Sequence, residues 1–213
     1  MPSTRNQRPY NVSYYRRNRQ REIDRVMTRQ RATLAFLRDL RRVPCMDCGG
    51  MFLPHQMDFD HRDPSTKSFQ VTGPLLKSRE SLLVEIAKCD IVCANCHAVR
   101  TYSLQGQRRA QRRTTGQIKN TPRRNAQRKV EAQRRDLLLA LRDRPCSDCA
   151  QRFAPFVMQF DHRDPSNKRF LVCATWLSSE ARILKEAAKC DIVCPNCHRD
   201  RTFVRRQGLA GVL

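Results

Sequence analysis

Acidic residues are scarce in this chain. There are 20 Asp and Glu against 42 Lys and Arg over 213 residues, a formal charge of +22. Such an imbalance is far from that of an ordinary soluble domain, and it points to a polyanionic partner, most commonly nucleic acid. Most of the positive charge is arginine, whose planar fork suits phosphate oxygens. Long apolar runs are also lacking. No stretch approaches the ~18 apolar residues that span a bilayer, so a membrane partner is not expected. The N-terminus has no apolar core of the secretory kind, which argues against an oxidised disulfide framework. Its Arg-rich, acid-poor character weakly mimics an organelle transit peptide, but a basic nucleic-acid arm accounts for it better. The expected location is the cytoplasm.

Cysteine, by contrast, is plentiful. Eight of the 11 cysteines fall into four CxxC pairs, and Cys89, Cys173 and Cys190 stand apart. Reduced thiolates kept for metal are the better account of that spacing. Cys45, Cys48, Cys93 and Cys96 supply four thiolates, the donor set of a closed tetrahedral zinc site. Cys146, Cys149, Cys194 and Cys197 supply a second. A closed four-sulfur site leaves no open position, so both zinc ions are expected to be structural. A unit this small buries little apolar area and needs such a staple.

The second quartet repeats the first. Cys45–Thr101 and Cys146–Thr202 align without a gap at a shift of 101 residues, with 32 of 57 positions identical. That similarity marks a duplicated domain, and two copies are too few for a solenoid. The expected divisions are a flexible basic arm over 1–20, a basic helix plus first zinc domain over 21–101, a basic linker over 102–124, a second helix and zinc domain over 125–203, and a tail over 204–213. Apolar residues at helical spacing (Ile23, Val26, Met27, Leu34, Leu37, Leu40) predict a basic helix over about 22–42, and Val130, Leu137, Leu138 and Leu141 predict its counterpart over 125–144. Met51 to Asp60 reads as a hairpin or broken strand, Ser68 to Val71 as a short second strand, and Glu80 to Ala87 as a helix.

Between the thiol pairs lies MDFDHRDPSTK (Met57–Lys67), repeated as MQFDHRDPSNK (Met158–Lys168). Asp60 followed by His61, together with His97 directly after a zinc ligand, places a carboxylate and two imidazoles near one another. Convergence of Asp60 and His97 suits a hard divalent ion such as Mg²⁺ or Mn²⁺ with several waters. His61 would then be free to act as general base. Two plainer readings stay open: His97 as an alternative zinc ligand, and Asp60 and His61 as a turn and a core residue.

FDHRDPSTK followed by KCDIVCANCH resembles the HNH, or His-Me finger, endonuclease superfamily, in its four-cysteine form. The resemblance covers Cys45–Thr101 and Cys146–Thr202. It implies an α+β fold of two tandem treble-clef zinc, ββα-metal units, and the helical spacing above places a basic helix before each. It implies that Asp60 and His97, and in the second copy Asp161 and His198, hold one catalytic Mg²⁺ or Mn²⁺ per head, with His61 and His162 as bases. The implied activity is hydrolysis of DNA phosphodiester bonds, leaving a 5′-phosphate. The family's central Asn before the last CxxC has no counterpart in AKCDIV. Both copies of the motif are otherwise complete, so two active heads are expected. Arg62, Lys67, Arg100, Arg163, Lys168 and Arg201 recur in both copies and are candidate phosphate contacts. No base-reading signature is present. A monomer with an internal pseudo-dimer is one expected arrangement. The reading from another class is a zinc-stabilised DNA- or RNA-binding protein without catalysis.

Overall fold

The computed structural model describes residues 7–72, 77–114, 121–174 and 179–210. It shows helices mixed with two small two-stranded sheets. Helix α1 (Gln7–Leu40) leads into a zinc-type knuckle, then β1 (Met57–His61), α2 (Arg79–Ile86), β2 (Cys89–Cys93) and α3 (Ala94–Thr114). The same order returns as α4 (Pro122–Arg142), β3 (Gln159–His162), α5 (Glu180–Ala187), β4 (Cys190–Val193) and α6 (Pro195–Ala210).

Several expectations are corrected here. The arm is helical from Gln7 onward and continuous with the basic helix. Pro9 falls in the first turn, where its missing N–H costs nothing, and Gln and Arg are good helix formers. The linker is largely helix too, because α3 runs on to Thr114 and α4 begins at Pro122 under a Thr121 cap. Gly106 sits inside α3 without breaking it, at a cost of about 1 kcal/mol. The tail is helical through Ala210. Residues 1–6, 115–120 and 211–213 of the expected arm, linker and tail lie outside the described residues. Ser68–Val71 is not a strand; β1 pairs antiparallel with β2 instead. The closing segment CDIVC is itself the second strand, since its apolar and thiol side chains cover the same small core as Met57.

That core is minimal. In the first half, buried Cys45, Met57, Val92 and Cys93 form one cluster, and Leu37, Val71 and Cys89 form another. The second half repeats the arrangement around Met158, Val193 and Ile183. Of the predicted α1 stripe, Leu37 is fully buried, whereas Ile23, Val26, Met27 and Leu34 are exposed. The first half of α1 therefore presents arginines and scattered apolar residues to solvent.

The register places Asp60 directly opposite Asp90, and Asp161 opposite Asp191. Facing like charges destabilise a strand pair. Arg100 relieves this by donating from Nη1 to Asp60 Oδ2 at 3.2 Å and to Asp90 Oδ2 at 3.0 Å. Its other nitrogens hold Asp47, in the knuckle, at 2.8 and 2.5 Å. Arg201 repeats these bonds with Asp161, Asp191 and Asp148.

The two halves meet about a local pseudo-twofold. The Asn95 N–H donates to Asn196 Oδ1 at 3.3 Å, and the Asn196 N–H donates to Asn95 Oδ1 at 3.1 Å. Each asparagine thus caps the first turn of the other half's helix. His55 stacks on Phe203 at 4.2 Å and Tyr102 on Phe156 at 3.9 Å, and these two ring pairs exchange under the same 101-residue shift. His55 and Gln56 also reach Asp200 across the contact, at 2.5 and 2.7 Å.

Candidate functional site

Each half builds its site from three pieces: the knuckle, the first strand and the first turns of the helix after the second CxxC. The four sulfur atoms of Cys45, Cys48, Cys93 and Cys96 lie within 4.8 Å of one another, as do those of Cys146, Cys149, Cys194 and Cys197. These are groups that could hold a metal, and sulfur donors in fours suit zinc. The geometry is prepared locally. Gly49 takes φ +69°, which turns its N–H back onto Cys45 O at 2.9 Å. The backbone amides of Cys93 and Cys96 point at Cys45 and Cys93 sulfur, at 3.2 and 3.5 Å.

Burial by itself would raise the Cys45 thiol, but amide N–H groups of Cys48, Cys93 and Asp47 outweigh it and bring it to about 7. Cys146 behaves alike, also at about 7. Burial and the neighbouring thiols push Cys96 and Cys197 well up. Four adjacent thiolates repel one another, and a cation at their centre removes that repulsion. Cys89 and Cys190 stand outside the quartets. They are buried, donate from sulfur to Glu85 O and Glu186 O, and are raised to about 11, first by burial.

His97 lies on the first turn of α3, one residue past a thiol ligand, so its ring faces β1. His97 Nδ1 donates to Asp58 Oδ2 at 2.7 Å, and its Nε2 faces Asp60 Oδ1 at 3.6 Å. With the proton on Nδ1, a nitrogen lone pair faces a carboxylate oxygen, an arrangement that a cation or a proton between them stabilises. The hydrogen bond that His97 donates to Asp58 is also the main reason the imidazole is raised. The second half keeps the ring but alters its surroundings. His198 Nδ1 donates to Gln159 Oε1 at 2.6 Å, and Nε2 faces Asp161 Oδ1 at 3.3 Å. His198 is lowered, chiefly by burial. The convergence of Asp60 with His97, and of Asp161 with His198, is therefore present in both halves.

Compared with known proteins, the chain matches no family model, no curated protein and no solved structure.

His61 is not free, as the sequence suggested. It is buried, and its Nε2 donates to Glu85 Oε1 at 2.8 Å. His162 makes the same bond to Glu186 at 2.9 Å. Glu85 is nearly inaccessible and fully engaged. It accepts from Lys88 Nζ at 2.7 Å and from the Ser68 and Phe69 amides at 2.7 and 3.3 Å. The Lys88 bond is the main cause that holds its carboxyl far below the ordinary range. An ionised Glu85 on Nε2 leaves Nδ1 as the ring's proton acceptor. Sequence reasoning missed this residue, though Glu85 and Glu186 are identical between the copies and sit four positions before Cys89 and Cys190. Asp58 was missed for the opposite reason, because the second copy carries Gln159 in its place.

A cavity of about 190 Å³ opens beside Asp60, His61, Lys67 and His97. Its counterpart, about 380 Å³, is lined by Asp161, His162, Lys168, His198 and Arg205. Lys67 and Lys168 thus border the sites. The arginines expected on phosphate are used otherwise. Arg62 donates to Cys89 O at 3.0 Å, to Asp90 at 3.1 Å and to Ala87 O, tying the strand to the end of α2. Arg163 repeats this with Cys190 O, Asp191 and Ala188 O. Arg100 and Arg201 hold the carboxylate clusters described above. Asp63 and Asp164 cap the following turn through Ser65 and Ser166.

For the divalent ion implied by the family resemblance, the first site fits. Asp60 and His97 offer one oxygen and one nitrogen on the cavity, and Asp58, which lines the same cavity, orients the ring through Nδ1. The second site does not fit as it stands, since both oxygens of Asp161 are engaged by arginine.

Proposed function

We propose that this protein is a metal-dependent endonuclease acting on DNA, with an HNH-like centre on a zinc-stapled unit. The observation that carries the reading is the grouping of Asp60, His97 and His61 on one cavity, with His61 oriented by Glu85. A divalent ion held by Asp60 and His97 would supply a Lewis acid that polarises a phosphate oxygen. His61, with Nε2 committed to Glu85, accepts a proton from the attacking water at Nδ1. Glu85 then stabilises the imidazolium across the same hydrogen bond, and by holding the ring it also serves the orienting role that the resemblance assigns to a central Asn. Lys67 at the rim pairs with the backbone phosphate. The zinc-type knuckle fixes the start of α3 and therefore the position of His97. Zinc as the ion in both thiol quartets, structural rather than catalytic, is part of this proposal.

The test is nicking of supercoiled plasmid with Mg²⁺ or Mn²⁺ by the parent, His61→Ala, His162→Ala and the double variant. Chelation should abolish nicking and added Mg²⁺ restore it. A double variant as active as the parent would remove the histidines from the mechanism. A second reading, zinc-stabilised nucleic-acid binding without cleavage, draws support from the long exposed Arg-rich faces of α1 and α4. It predicts strongly salt-sensitive binding and no cleavage with any metal.

A further inference from the structure

Duplicated halves allow a comparison within one chain, position by position. Around the two candidate centres most polar residues are kept, and three differences stand out. Asp58 is replaced by Gln159, Leu104 by Arg205, and Ala98 by Arg199. All three act on the charge of the cation position.

Arg205 lies seven residues after His198 on α6 and four after Arg201, so all three share one face. Arg205 Nη1 donates to Asp161 Oδ1 at 2.9 Å and Nη2 to Asp161 Oδ2 at 2.8 Å, a two-pronged pairing. Arg201 Nη1 adds a third bond at 3.0 Å. Asp161 is left 4% exposed, against 16% for the Asp60 side chain. Among the described residues Asp60 accepts a hydrogen bond from Arg100 alone, at 3.2 Å, and the Leu104 side chain has no donor to offer. Arg199 crosses to the first half, where it donates to Asp58 Oδ2 at 2.5 Å. It therefore fixes the carboxylate that orients His97, a contact the neutral Gln159 does not receive in return. Arg100 and Arg199 at the first centre match Arg201 and Arg205 at the second in number, but the second has one carboxylate fewer, so a dication there meets one additional unit of positive charge, and both oxygens of Asp161 are already taken.

We propose that the two heads are unequal: the first alone takes a divalent cation, and in the second Arg205 occupies the cation's position on Asp161 and, with Lys168, holds a backbone phosphate without metal. This rests on the reading that both cavities face a nucleic-acid backbone. The second head is then a grip that presents the duplex to the first, and Arg199 links the two by setting Asp58. A charge-assisted, planar fork is well suited to hold Asp161 on one edge and a phosphate oxygen on another.

The test counts Mn²⁺ bound to the zinc-loaded full chain, by calorimetry and by the loss of free-ion electron paramagnetic resonance signal. One Mn²⁺ per chain is expected. Asp60→Asn should abolish it, Asp161→Asn should keep it, and Arg205→Leu, which copies the first half, should add a second. Two Mn²⁺ in the parent, none in the parent, or a single site lost with Asp161→Asn but kept with Asp60→Asn would each overturn the proposal. Asp161→Asn guards against an Arg205→Leu chain that fails to fold. The phosphate grip is read separately, from duplex binding without added divalent ion. Arg205→Leu should reduce the log–log salt slope by about 1. An unchanged slope would overturn that half of the proposal. The nuclease reading fails independently: one Mn²⁺ per chain without cleavage sinks catalysis but leaves the heads unequal, and two Mn²⁺ with cleavage does the reverse.

Discussion

Asparagine 95 gives the most direct handle on how the halves are joined. Its side-chain oxygen accepts the Asn196 N–H at the start of α6, and Asn95 itself is 9% exposed. Its side chain also bonds Cys194, where it lowers a thiol that burial raises. Truncation in Asn95→Ala removes the oxygen and leaves a buried helix-terminal amide without a partner. Loss of an N-cap costs about 1 kcal/mol, and a stranded buried N–H about 1–3 kcal/mol. We therefore expect a loss of about 2 kcal/mol for Asn95→Ala, and a similar loss for Asn196→Ala, which strands the amide of Asn95. For a chain of this length each should lower Tm by about 4–8 °C. The two bonds use different donors and acceptors, so the double variant should lose about 4 kcal/mol. Asn95→Asp keeps the acceptor at a helix N-terminus, where negative charge is favourable, and should lose much less. Guanidinium denaturation of the zinc-loaded protein, with unchanged slope, is the assay. Single substitutions that cost under about 0.3 kcal/mol would refute the reciprocal caps, and with them this docking of the halves.

Four further outcomes follow from the same geometry. Ala150 occupies the turn position of Gly49 at φ +57°, so Ala150→Gly should raise stability by about 1 kcal/mol in the same denaturation assay. Glu186 is held at about 2 in the fold, first by Lys189, and Glu85 is likewise depressed. Depressed carboxyls stabilise the fold above their unfolded value and cease to do so as they protonate. The contribution of these two glutamates should therefore be level near neutral pH and fall between about pH 4.5 and pH 2, and Glu186→Gln should flatten that acid limb in a pH series of melting curves. Elemental analysis should find two zinc ions per chain, and their removal should abolish the cooperative transition, because the apolar clusters around Met57 and Met158 are too small to hold the strands alone. Leu37→Ala, at a fully buried site, should cost about 2–4 kcal/mol by chemical denaturation, and more than Leu138→Ala at the half-buried equivalent.

Glu85 shows where the sequence reading fell short. An HNH-like motif without its Asn looked incomplete, yet the partner of His61 was present in another residue type 24 positions away. Nothing in local spacing distinguishes a glutamate that accepts an imidazole from one on a solvated helix face. The recurring arginines misled in the same way. They recur because Asp60 and Asp90 face each other across a strand pair, a pairing that the expectation of a strand at Ser68–Val71 conceals.

The amino-acid sequence by itself determined the duplication, the two thiol quartets and the short span carrying Asp60 and His61, because CxxC spacing is a constraint between near neighbours and a gapless repeat is visible in residue order without any folding. Only the tertiary structure decided which of many aspartates met which of many arginines. Several of those ion pairs join residues of interchangeable type over 40 positions or more, as with Arg201 and Asp161 or Arg199 and Asp58. Coulomb attraction is indifferent to sequence separation, so the asymmetry between the heads emerges when β1 pairs with β2 and the halves close on Asn95 and Asn196.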